Sequence, residues 1–374
     1  MTRTSDDPRG GFLGELKDAV SARAALLVLG VLAIQLAFIT SYIGAFHAPA
    51  PHRVPLAVTA HSSQVSDEVL YRLSTLPGQP IDPRPVRNET AAVEQIRNRD
   101  IDGALVLGPD GTARLLVASG GGASLSQAIT EVVTAAEKGQ RRSLTVVDVV
   151  PGTPGDARGL SSFYLVVGWC VGGYLCAAIL AISAGARPAN GSRAVIRLGA
   201  LLLYSILAGL LGSVIAGPVL DALPGGLPAL WGLGTLLVFA VGSITLALQG
   251  LVGVIGIGIA ILLVVVLGNP SAGGAYPHPL LPAFWRTIGP ALPPGAGTYA
   301  ARSIAYFRGN GAGVPMLVLA VWAVAGTALT IAAAVFRPGG TGAGAEVAAS
   351  GGADGSRRDR AGRAATAGRP GTMG

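Results

Sequence analysis

Six apolar runs, each close to the length that crosses a bilayer, limit what this chain can become. A spanning helix needs about 20 predominantly apolar residues, and residues 24–46, 162–184, 195–216, 230–248, 251–267 and 314–336 match that template. Only Gln249 and Gly250 divide the fourth run from the fifth. A single helix of about 40 residues would be about 60 Å long, roughly twice the hydrocarbon thickness, so the two runs are expected to fold back as a tight helical hairpin. Composition agrees, with 51% hydrophobic against 13% charged residues, outside the balance of soluble domains. The expected fold class is an α-helical polytopic membrane protein with six transmembrane helices.

The first run resembles a secretory signal in having Arg23 before it and Ala48-Pro49-Ala50 after it. Its apolar core exceeds the 7–15 residues or so of a signal segment, and it is read as transmembrane helix 1. Orientation follows from the short basic segments. Arg3, Arg9, Lys17 and Arg23 precede the first run, Arg187, Arg193 and Arg197 border the loop between the second and third, and Arg337, Arg357, Arg358, Arg360, Arg363 and Arg369 follow the last. With six spans these segments share one side, and the positive-inside rule makes it cytoplasmic. A multi-pass protein of the plasma (inner) membrane with both termini cytoplasmic is expected.

Residues 47–161 then lie outside, and read as a small extracytoplasmic α+β domain between helices 1 and 2. VPLAVTA at 54–60 alternates like a strand; residues 66–76 and 90–99 read as helices, with Thr90 as a cap for the second. IDGALVLG at 101–108 and TARLLVAS at 112–119 form a hairpin signal across Pro109-Asp110-Gly111. Residues 124–138 read as a longer amphipathic helix and 144–150 as a closing strand. Within the cytoplasmic leader, residues 1–23, Phe12, Leu13, Leu16 and Val20 share a face, so 11–22 reads as an interfacial helix. The Gly-, Ala- and Arg-rich tail, 337–374, has no apolar period and is expected to be disordered.

Chemistry-bearing motifs are few. The chain carries no phosphate-binding G-x-x-x-x-G-K-[ST], no H-E-x-x-H and no G-x-S-x-G, so neither enzyme activity nor a cofactor or metal is expected. Cys170 and Cys176 are six residues apart in one apolar run, a poor spacing for a disulfide. His47, His52, His61 and His278 lack ligand spacing and read as surface or interfacial residues. Of 27 basic residues all but Lys17 and Lys138 are arginine, with no basic stripe for nucleic acid. Asp221 falls in the turn after the third run, and no ionisable residue sits mid-span as a proton relay would need. Gly250, Gly253, Gly256 and Gly258 read as close helix packing.

The stretch from Asn269 to Gly295, NPSAGGAYPHPLLPAFWRTIGPALPPG, is a connection that carries Tyr276, Leu281, Phe284, Trp285 and Ile288. Pro270, Pro277 and Pro279 exclude a helix from its first part; residues 281–292 can be helical with Pro282 in the first turn; Pro293 and Pro294 stop that helix, and 297–307 forms another. Two helices too short to span read as a re-entrant or interfacial segment, 269–312.

The elements N-P-S-A-G-G at 269–274, L-L-P-A-F-W-R at 280–286, P-A-L-P-P at 290–294 and the helix around Tyr299 to Phe307 resemble the ABC-2 type transporter permeases, in particular the YhgE/Pip-like (phage infection protein) branch. Arg302 and Arg308 stand nearest that branch's final basic position. The resemblance implies a membrane permease that pairs with a second permease half, homo- or heterodimeric, and is driven by a separate cytoplasmic ABC ATPase. It implies export of a lipidic, glycan or hydrophobic drug-like substrate across a bacterial membrane. It marks Asn269, Pro270, Gly273, Gly274, Leu281, Pro282, Phe284, Trp285, Pro290, Pro293 and Tyr299 as a gating motif, and residues 11–22 and 185–197, with Arg187, Arg193 and Arg197, as the ATPase-docking surface. The alternative expectation is a membrane-anchored receptor or envelope-assembly protein whose outer domain binds a ligand or partner without transport.

Overall fold

The structure, a computed structural model, describes residues 22–140, 142–185 and 190–336. Residues up to Ala334 form one compact unit; of the remainder only Val335 and Phe336 are described. The interfacial helix expected at 11–22, the tail and Arg187 lie outside the described residues, save for Ala22 at the start of the first helix.

Five helices are long and apolar enough to cross a membrane. They are α1 (Ala22–Phe46), α5 (Ser161–Ala184), α6 (Gly191–Val214, continued by a π turn, Ile215–Val219), α7 (Leu227–Val252) and α11 (Gly313–Val335). The fifth run differs from expectation. It forms α8, Ile255–Ser271, 17 residues whose middle, Leu262–Gly268, is wound as π-helix. At about 1.5 Å per residue it reaches about 25 Å at most, short of a full span. The reversal falls at Gly253 (φ 70) rather than at Gln249 and Gly250, because α7 keeps its helical bonds through Val252 and glycine adopts a positive φ without steric cost.

The helix α7 is the axis of the bundle, with 67% of its most apolar window buried against 6% for α1. Its Leu230, Leu233, Leu237 and Val241 pack on Val166, Trp169 and Cys170 of α5. Small residues set the spacing. A Cβ on Gly209 would stand 2.6 Å from the Thr235 backbone nitrogen, and one on Gly326 of α11 would stand 2.5 Å from that of Ile244. The helices touch backbone to backbone, as membrane helices do when glycine lines their contact.

Between α1 and α5 lies a five-stranded sheet, order β2-β1-β3-β4-β5: β1 Val54–Ala60, β2 Ile81–Pro85, β3 Gly103–Leu107, β4 Thr112–Val117 and β5 Ser143–Asp148. Only β3 and β4 pair antiparallel, as the hairpin signal required; the other three pairs are parallel. Alternation sends Leu56, Val58, Leu105 and Leu115 to one face, under α2 (Ser63–Ser74) and α4 (Ala123–Glu137), and Ala57, Ala104 and Leu116 to the other, under α3 (Glu89–Asn98). Helices cover both faces, so the layering is nearer α/β than the expected α+β. The difference traces to β2, sequence IDPRP, whose Pro83 and Pro85 conceal a strand that sits at an edge, where missing donors are tolerated. Ser62 caps α2, and Asn88 rather than Thr90 caps α3.

Candidate functional site

The segment after α8 is a broken helical hairpin. A single 3-10 turn, His278–Leu280, precedes α9 (Ala283–Ile288), another follows at Gly289–Ala291, and α10 runs Pro293–Tyr306. Pro293 and Pro294 open α10 rather than merely stopping α9; a proline in the first helical turn forfeits only an amide that has no partner there. Of α10 nearly every residue is buried, since it lies between the bundle, through Ala296, Ala300 and Ala301, and the sheet domain, through Phe307.

Arg302, 4% exposed, holds this region together. Its Nη1 donates to the Gly273 carbonyl (2.6 Å), and its Nη2 to the carbonyls of Gly274 (2.7 Å) and Gly159 (2.9 Å). One guanidinium thus joins α10, the glycines of the NPSAGG element and the residue just before α5. A rigid fork of charged donors suits three carbonyls turned toward one point. Burial, with Arg99 nearby, lowers its pKa to about 10, which leaves it charged. Gly273 turns with φ 71, and Gly274 sits against the Phe163 ring.

His278 lies deeper than a surface histidine. Its Nε2 is 3.1 Å from the Ser271 carbonyl, an oxygen that only an N–H can satisfy, so the neutral ring is protonated there. Burial, then the Arg302 charge, push its pKa down to about 4. Ser271 donates to Leu267, while Asn269 Oδ1 is buried with no partner among the described residues.

From the sheet domain, Arg99 caps α3 in the left-handed region (φ 64) and reaches over α10. Its Nη1 donates to the Tyr299 carbonyl (3.1 Å) and the Ser303 hydroxyl (2.7 Å), with the guanidinium carbon 3.5 Å above the Tyr299 ring and 4.8 Å from that of Phe307. Asn310 donates to Arg97 and Asn98 beside it, and Tyr306 to Asp156 (2.7 Å). Asp102 borders the same cavity of about 210 Å³ as Arg99, His278, Tyr299 and Arg302. Burial pushes its carboxyl up to about 6, opposed by Arg99 and then Arg84.

The expected gating residues do not share one site. Gly273, Gly274 and Tyr299 meet at this polar seam, whereas Asn269 and Pro270 are buried in the last turn of α8, a turn that Pro270 was expected to exclude. Leu281 and Trp285 pack with Ala45 at the end of α1, Pro282 caps α9, and Phe284 is 57% exposed with its ring edge-on to Trp285. Pro290 borders a separate apolar cleft and Pro293 starts α10. Arg193 and Arg197 part company: Arg193 is exposed in the first turn of α6, whereas Arg197 is buried and donates to the Gly185 carbonyl (2.8 Å). Arg99 and Asp102 escaped the sequence reading; the one signal for them was a cluster of four charges at the end of a predicted helix, RNRD at 97–100 with Asp102 beyond.

Comparison with known proteins identifies no relative: no family, curated protein or solved structure matches the chain.

Proposed function

We propose that this chain is the permease subunit of an ABC-type exporter in the plasma (inner) membrane, with six membrane segments of which α8 alone falls short of the full hydrocarbon thickness, and driven by a separate cytoplasmic ATPase. The supporting observation is the broken hairpin 272–307. It fills the end of the bundle beside α5 and α7, carries buried polar backbone that Arg302 satisfies, and is bonded to the sheet domain. Non-helical backbone at membrane depth persists only where protein satisfies it, and such an element is suited to gate a path. The sheet domain would stand outside, and a second permease half would complete the path for a lipidic, glycan or drug-like cargo.

The docking surface for the ATPase loses one residue of the expected set. Arg197 is committed to Gly185, which leaves Arg187 and Arg193 as the charges to test. Affinity purification of the tagged chain from its own cells should recover an ATPase with a phosphate-binding loop, and Arg187→Glu with Arg193→Glu should release it. Absence of any ATPase, or its full retention by the double variant, defeats the transport reading.

One observation favours the receptor alternative. An open groove of about 590 Å³ runs between α3, the end of β5 and residues 305–310, with Tyr306, Phe307 and Arg97 on its walls. A ligand seated there would touch domain and hairpin together.

A further inference from the structure

The polar cavity beside Arg99 has an apolar neighbour. A cleft of about 320 Å³ is lined by Pro290, Ala296, Val314 and Pro315, and His278 and Tyr299 line both it and the polar cavity. Val314 and Pro315 belong to the first turn of α11, a helix apolar enough to cross a membrane. The cleft therefore begins where that helix begins, and the polar cavity lies just past the two shared side chains.

The polar side is equipped beyond its structural needs. Both hydrogen bonds that Arg99 makes among the described residues come from Nη1 and go to α10, which leaves its Nε and Nη2 outside them. The Tyr299 hydroxyl makes none among the described residues, nor does the Asp102 carboxylate, which makes no ion pair with Arg99 three residues away. A half-buried guanidinium held by a stacked ring, with its outer fork unfilled, is pre-organised for a planar or tetrahedral acid. Arg302 adds a second fixed positive charge at the cavity wall.

We propose that these two spaces form one binding site for an acidic amphiphile, its phosphate or carboxylate headgroup on the outer fork of Arg99 and the Tyr299 hydroxyl, its apolar chain in the cleft beside Val314. Polar groups at one end of an apolar pocket fix the orientation of such a ligand. Asp102 faces the headgroup and repels it, which sets the sign of the most informative variant. Calling the ligand a cargo rests on the transport reading; binding itself is read on the purified chain with no ATPase present, so the two fail separately.

The test is equilibrium binding to the full chain in dodecyl maltoside, with oleoyl lysophosphatidate as probe, oleoyl glycerol as its uncharged counterpart, and inorganic phosphate as the headgroup alone. Lysophosphatidate should bind at least about tenfold more tightly than oleoyl glycerol, a difference of about 1.4 kcal/mol, and phosphate alone should give no saturable signal below millimolar concentration. Asp102→Asn should tighten lysophosphatidate binding several-fold and leave oleoyl glycerol unchanged. Val314→Trp should weaken it by filling the cleft. Arg99→Gln should weaken it too, but Arg99 also secures α10, so Asp102→Asn, which removes no bond, decides the matter. Equal binding of the charged and uncharged probes, saturable phosphate binding without a chain, or weaker lysophosphatidate binding in Asp102→Asn each overturns the proposal.

Discussion

Arg302 shows how much one side chain can carry here. Its three acceptors are main-chain carbonyls from two segments more than 100 residues apart in sequence. Each buried polar group left without a partner costs about 1–3 kcal/mol, so Arg302→Gln should destabilise by at least about 3 kcal/mol. Thermal unfolding in detergent would read this as a large drop in midpoint, and Arg302→Lys, a point charge without the planar fork, should recover only part of it. A Gln variant as stable as the parent would refute the staple. His278 and Asp102 give opposite pH slopes. The His278 pKa falls from 6.5 to about 4 on folding, so its contribution is complete above 6.5 and is lost as pH falls toward 4. The Asp102 pKa rises from 3.8 to about 6, so its contribution is complete below 3.8 and is lost as pH rises through 6. Asp102→Asn should therefore gain on the parent between pH 4 and 7, by about 3 kcal/mol at most, and His278→Gln should gain in the reverse direction. Unfolding midpoints of the three proteins across that range check both signs.

Elements were legible where one local signal outweighed the others. The strand at 54–60, the hairpin at 101–119 and the first four apolar runs carry period or length that nothing contradicts, and each is present. Two of the misreadings share a cause, proline. Pro83 and Pro85 hid β2, an edge strand whose conformation is stabilised by pairing with β1, and Pro293-Pro294 read as a stop although they open α10. In both, tertiary placement decided between two readings that proline alone allows. The polar seam was illegible for another reason: Arg99, Asp102, His278 and Arg302 lie up to about 200 residues apart in sequence, and only the docking of the domain on the hairpin brings them to one cavity. Glycine at helix contacts yields a prediction at this scale. Gly326 faces the backbone of α7 at 2.5 Å, while Gly258 in α8 has nothing within 4 Å of where its Cβ would stand. Gly326→Val should force α11 from α7 and lower the unfolding midpoint by the equivalent of about 1–3 kcal/mol; Gly258→Val should leave it unchanged. Equal effects at the two sites would mean that close approach does not hold the bundle.

At the scale of the molecule, the bonds between its parts sort the loops into two ends. The sheet domain, the turn near Asp221 and the hairpin meet one another. Thr153 donates to Ala222, Ser124 to Ala275, and the amides of Ala50 and His52 to Leu280 and Pro279. The turn between α5 and α6 and the reversal at Gly253 belong to the opposite end of those helices. The positive-inside rule then bears on one decision only, which end faces the cytoplasm, and the proposed function takes it, from the arginines near 187–197, to be the end without the domain. This is open to a direct measurement in intact cells. In a background with Cys170 and Cys176 replaced by alanine, Tyr71→Cys on the exposed surface of α2 should react with a membrane-impermeant maleimide, since Tyr71 is 73% exposed. Ser192→Cys, exposed at the start of α6, should react only after the membrane is opened. Both positions reacting before lysis would break the two-ended arrangement, and labelling of Ser192→Cys alone would invert the protein, placing the seam and its arginine-lined cavity on the cytoplasmic side.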